Sequence, residues 1–139
     1  MKMSEKSKIL IVEDDIDMVD SLKKLLETKG YDIAFAYDPE EGNNKLIKER
    51  PDLIILDVMF GSKGEAMGFK FARRVKNDKQ YAEIPIIMLT AINTKAQYFH
   101  FSPETDGEFL PVDVFLDKPL QPDELFSKVE DLLKKTSSK

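Results

Sequence analysis

The chain has no cysteine and a single histidine, His100. The first absence excludes a disulfide framework, a thiol nucleophile and a thiolate metal site. The second excludes a centre built from several imidazoles. A basic excess is also missing: 21 Lys and Arg stand against 26 Asp and Glu, for a net charge of −5. Neutralising nucleic-acid phosphates takes a basic face. No apolar run approaches the roughly 20 residues that span a bilayer, and the opening MKMSEKSK is too polar for a secretory leader. Neither glycine-rich phosphate loop, G-x-x-x-x-G-K-[ST] or G-x-G-x-x-G after the first strand, is present. These exclusions predict a soluble, cytoplasmic protein with no membrane insertion and no direct nucleic-acid partner.

What is there suits one domain. With 139 residues and 42% apolar composition, the chain can bury one core of ordinary size. Residues 1–7 are expected to be disordered, 8–135 to form the domain and 136–139 a tail. Four continuous apolar runs stand out, ILIV (9–12), LIIL (53–56), IPIIML (84–89) and VFL (114–116), with a weaker fifth, YDIAFAY (31–37). Continuous runs are what strands covered on both faces require. Helical spacing covers 15–29, with Gly30 as its stop, then about 39–48 behind Asp38, 68–77 and 122–135. Strand and helix alternate, which predicts an α/β fold on a parallel sheet. Residues 92–111 break the pattern, because two prolines and Asp106-Gly107 interrupt any helix there.

Ligands of an open α/β sheet bind beyond the carboxyl ends of its strands. The first run is followed by Glu13, Asp14 and Asp15, the second by Asp57, the third by Thr90, and the last by Asp117 and Lys118. Parallel strands put these ends on one rim. Clustered carboxylates repel unless a cation intervenes, and an all-oxygen set with few protein ligands suits Mg²⁺. A lysine beside it can neutralise a phosphoryl oxygen as a point charge, Thr90 can donate to another, and Asp57 is left as a carboxylate nucleophile. Asp15 and Asp17 open a helix, where carboxylates ordinarily serve as caps, so both stay outside the metal set.

KILIVEDD, PDLIILDVM, IPIIMLTA and VFLDKPL together resemble the response regulator receiver domain, the CheY-like fold, over about residues 7–135. The resemblance implies a doubly wound, five-stranded parallel sheet of order 2-1-3-4-5 and a role in two-component signalling. It implies Asp57 as the phospho-acceptor, charged by a sensor histidine kinase or a histidine-phosphotransfer protein. Mg²⁺ would be held by Glu13, Asp14, Asp57 and the backbone carbonyl of Met59. Lys118 matches the phosphate-pairing lysine, Thr90 the switch hydroxyl and Phe115 the switch aromatic. Met59 and Ile92 match positions that tune access of the hydrolytic water. Both are apolar, so a long-lived aspartyl phosphate is expected.

Two stretches depart from the family. The connection after Asp57, VMFGSKGEAM, is a few residues longer than usual, and the helix normally found between the fourth and fifth strands is poorly encoded, leaving an irregular region over 92–111. Tyr98, Phe99, Phe101 and Phe109 concentrate there, as core under a loop or as a partner surface. His100 is read as a bystander, since the transfer needs no base from the receiver. The leading expectation is a phospho-accepting signalling domain, not a turnover enzyme, with output through an unidentified downstream protein. A phosphorylation-independent pseudo-receiver is the alternative. An aspartate phosphatase fits poorly, because Met59 stands where such enzymes carry a second acid.

Overall fold

The computed structural model describes residues 6–57, 67–90, 113–117 and 120–137. Their elements, in chain order, are β1 (Lys8–Val12), α1 (Ile16–Glu27), β2 (Asp32–Ala36), α2 (Pro39–Glu49), β3 (Leu53–Asp57), α3 (Met67–Asn77), β4 (Ile86–Thr90), β5 (Val114–Asp117) and α4 (Pro122–Ser137). All five strands pair in parallel, in the order β2-β1-β3-β4-β5. That is the expected doubly wound α/β sheet.

The continuous apolar runs follow from having a helical layer on each face. Alternate residues of a strand point to opposite sides. Leu10, Val12, Ile54, Leu56, Ile86 and Met88 pack against Leu46 of α2 and Phe71, Ala72 and Val75 of α3. Ile9, Ile11, Leu53, Ile55, Ile87 and Leu89 pack against Val19, Leu22 and Leu26 of α1 and Leu125, Val129 and Leu132 of α4. Every one of these strand residues is fully buried, and each such side chain contributes about 1.5–3 kcal/mol by leaving water. A charge in the middle of either run would face a core, so polar residues are confined to strand ends.

The helix starts are set by caps. Asp15 caps α1, its Oδ1 accepting from the Asp17 and Met18 amides at 3.0 and 3.2 Å. Asp38 caps α2 and Pro39 takes its first position, where a missing N–H costs nothing. Gly30, at φ +87, closes the turn after α1, a conformation glycine adopts without a Cβ penalty.

Boundaries shift by small amounts. β4 begins at Ile86 rather than 84. Ile84 instead closes a turn onto the Tyr81 carbonyl at 3.0 Å, and Pro85 has no N–H for the ladder. The last helix continues to Ser137, past the expected end at 135. Ser7, assigned by sequence to the N-terminal segment, accepts a hydrogen bond from the Asp32 amide at 2.9 Å. The expected irregular region at 92–111 lies outside the described residues, as do the loop at 61–66 and the start of the N-terminal segment.

Candidate metal centre

The register places the site. Ala36, Val12, Leu56, Met88 and Phe115 are successive partners across all five strands, an apolar row spanning the sheet. One residue further on stand Glu13 beyond β1 and Asp57 at the end of β3. The polar residues thus begin where the strands leave the helical layers. Thr90 ends β4 one position past Leu89, the partner of Asp57, and itself pairs with Asp117.

Glu13, Asp14 and Asp57 each offer a carboxylate oxygen, and these oxygens lie within 4.8 Å of one another. Glu13 is 1% exposed and Asp57 6%, whereas Asp14 is exposed. The Glu13 amide donates to the Ala36 carbonyl at 3.0 Å, and Glu13 Oε2 accepts from the Asp15 amide at 3.1 Å. Asp15 itself is taken up in capping α1, as its place at the helix start suggested.

Two buried carboxylates at this separation repel by about 3–4 kcal/mol at an effective dielectric of about 20. A divalent cation is the economical way to offset that. The donors are oxygen only, and their open side lies at Asp14. This suits Mg²⁺, which keeps several of its waters and takes few carboxylates. The residues present fit that ion.

Not every expected site residue falls among those described. Lys118, immediately after β5, lies outside them, and so do Met59 and Ile92. Phe115 is half-buried and packs with the α2–α3 layer. Gly42 was not singled out by the sequence pattern. It lies in α2, where a Cβ would meet Val12, the residue before Glu13. The available signal was a glycine inside a helix, between Glu41 and Asn43.

The family model of the response regulator receiver domain matches residues 9–130. The chain is 33% identical over 129 residues to the DNA-binding dual master transcriptional regulator RpaA of Synechocystis sp., covering 93% of this chain and 50% of that protein. It is 35% identical over 129 residues to the alkaline phosphatase synthesis transcriptional regulatory protein PhoP of Bacillus subtilis, covering 93% and 49%. It therefore spans about half the length of the curated relatives it matches. Among solved structures, the chemotaxis response regulator CheY4 of Vibrio cholerae superposes with a TM-score of 0.74 at 30% identity, over 92% of this chain and 99% of that one. For a two-component response regulator from Clostridium difficile the TM-score is 0.77 at 30% identity, over 94% and 98%.

Proposed function

Because the chain belongs to the response regulator receiver domain family, we propose that it is a Mg²⁺-dependent phospho-acceptor of two-component signal transduction. It takes a phosphoryl group from a phosphohistidine onto Asp57 and signals through a protein partner. The observation that carries this reading is the meeting of the Glu13, Asp14 and Asp57 oxygens within 4.8 Å at the carboxyl ends of β1 and β3.

One Asp57 oxygen attacks phosphorus while the P–N bond to the donor imidazole breaks. The imidazole, carrying a proton on its other ring nitrogen, leaves with the bonding pair and ends as a neutral ring. Glu13 and Asp14, with Asp57, would hold the cation. Mg²⁺, when bound, offsets the charge that a phosphoryl group would otherwise meet at three carboxylates. Asp57 is only 6% exposed, which limits how water reaches the product. Thr90 at the end of β4 donates its hydroxyl to a phosphoryl oxygen, and Lys118 supplies a compensating positive charge. Repacking of Phe115 against the α2–α3 layer carries the change outward. Met59 and Ile92 have no group to orient water, so the phosphate is long-lived.

The donor is a sensor histidine kinase or a histidine-phosphotransfer protein. The test uses Mg²⁺ with acetyl phosphate as a surrogate donor. A mass gain of one phosphoryl group is expected, abolished by EDTA and by Asp57→Asn. A gain that persists in Asp57→Asn overturns the assignment. Loss of the label within seconds overturns the predicted lifetime.

A further inference from the structure

β2 is one edge of the sheet, so its outer side carries main-chain groups that no described strand pairs. Along a strand, the N–H and C=O of successive residues point to alternate sides. The Asp32 amide donates to the Ser7 carbonyl, and the Ala36 carbonyl accepts from the Glu13 amide, so Asp32, Ala34 and Ala36 turn toward β1. Tyr31, Ile33, Phe35 and Tyr37 therefore turn outward. The two end positions are taken up inside the chain. The Tyr31 amide donates to the Leu26 carbonyl at 3.4 Å and the Tyr37 amide to Glu41 Oε1 at 2.9 Å. What is left open is Ile33 and Phe35, set symmetrically about Ala34.

Edge strands are ordinarily shielded by a lysine, a proline or a bulge. IAFA carries neither residue, and the register with β1 runs without interruption from Lys8–Asp32 to Val12–Ala36, so there is no bulge. The one charge of β2 is Asp32, at its start. Ile33, Ala34 and Phe35 are half-buried, which leaves apolar surface beside the open main-chain groups. Only another extended segment satisfies such a row. A flexible peptide would have to be ordered for few hydrogen bonds, whereas β2 of a second copy is extended already.

We propose that β2 pairs antiparallel with β2 of a second copy, about a two-fold axis at Ala34. In that register Ile33 of each copy faces Phe35 of the other as a hydrogen-bonded pair. Ala34 faces its own counterpart as a non-hydrogen-bonded pair, where Cα atoms approach to about 4.5 Å and a small side chain is needed. Asp32 faces Ala36 rather than a second carboxylate, which avoids a like-charge pair. Antiparallel pairing turns the two acidic rims in opposite directions, so each stays open to its phosphoryl donor. The pairing does not depend on the Mg²⁺ reading above.

The test uses the absence of cysteine. Ala34→Cys places the only thiol of each chain on the axis, at a separation a disulfide can span. Asp32→Cys stands at a more exposed position, but in this register it lies about 14 Å from its counterpart. With diamide as oxidant, Ala34→Cys should form the disulfide-linked dimer at least about tenfold faster than Asp32→Cys, although its thiol is the less exposed. Equal rates, or a faster Asp32→Cys, overturn the proposal. In sedimentation equilibrium, the mass of the unsubstituted chain should rise toward twice its value as concentration increases. Ile33→Pro removes an outward donor and leaves the ladder to β1 intact, so it should stay monomeric while unfolding cooperatively in urea. A constant monomer mass for the unsubstituted chain overturns the proposal, and saturable binding of a peptide copying residues 31–37 to that monomer would give the edge to a peptide instead. Should Ile33→Pro not fold, the two cysteine variants decide the matter.

Discussion

Asp57→Asn should stabilise the metal-free protein while removing its acceptor. The Glu13 and Asp57 oxygens lie within 4.8 Å, and both residues are almost fully buried. Coulomb's law at an effective dielectric of about 20 gives about 3.5 kcal/mol of repulsion for that ionised pair, and about 0.9 kcal/mol at the dielectric of water. Asparagine has nearly the same shape, leaves no cavity and carries no charge. A gain of about 1–3 kcal/mol in EDTA is expected, between those two limits. Adding Mg²⁺ should erode the difference. A ligand at a hundred times its Kd stabilises the folded state by about 2.7 kcal/mol, and the variant has lost one of three carboxylates that would hold it. The assay is urea unfolding of both proteins, with EDTA and across a Mg²⁺ series, at constant m-value. A variant less stable than the parent in EDTA, or equal Mg²⁺ stabilisation of the two, would refute the electrostatic reasoning.

Three further outcomes follow from structure far from the site. Lys8 Nζ bonds Glu49 Oε1 at 2.7 Å, which raises the lysine above its ordinary 10.5 and lowers the carboxyl below 4.5. Glu49 therefore contributes above its unfolded value and loses that contribution as pH falls through its lowered one. Lys8 contributes below 10.5 and loses it as pH rises through its raised value. Glu49→Gln should cost about 0.5–1 kcal/mol at pH 7 and nothing near pH 2, and an equal cost at both pH values in urea titrations would contradict this. Lys76 Nζ donates to the Ala82 and Ile84 carbonyls at 3.2 and 2.7 Å and to Asp113 Oδ2 at 3.2 Å. Lys76→Met strands the Ala82 and Ile84 carbonyls, while Asp113 Oδ2 keeps the Ile86 amide at 2.8 Å, and should cost about 1–3 kcal/mol, whereas an unchanged urea midpoint would show that water replaces the ammonium freely. Arg50 ends α2 at φ +48, so Arg50→Gly should gain about 0.5–1 kcal/mol by thermal unfolding, and a loss would mean that its side chain contributes more than the strain.

The sheet was legible because its physics is local to each strand. A run covered on both faces cannot carry a charge, so the first carboxylate after LIIL marks both the strand's end and the rim. The same logic brought Glu13, Asp14 and Asp57 to one edge before any register was known. Asp15 was separable because a helix start explains it fully. What stayed hidden depends on separations that no pattern encodes. The Lys76–Asp113 tie joins residues 37 apart in the chain, and the closeness of Gly42 to Val12 shows only once α2 is laid on the sheet. The start of β4 was misplaced because IPIIML looks uniformly apolar, although Pro85 cannot join the ladder and Ile84 belongs to the preceding turn.

The most direct measurement is a crystal structure of the full chain grown with Mn²⁺ in place of Mg²⁺ and with beryllium fluoride, using anomalous scattering to locate the metal. The expected result is one metal peak bound by the Glu13 side, Asp14 and Asp57 carboxylates, with the fluoride adduct on an Asp57 oxygen. A metal peak elsewhere, or an adduct on any other carboxylate, would contradict the assignment of this rim as the phosphoryl-accepting centre.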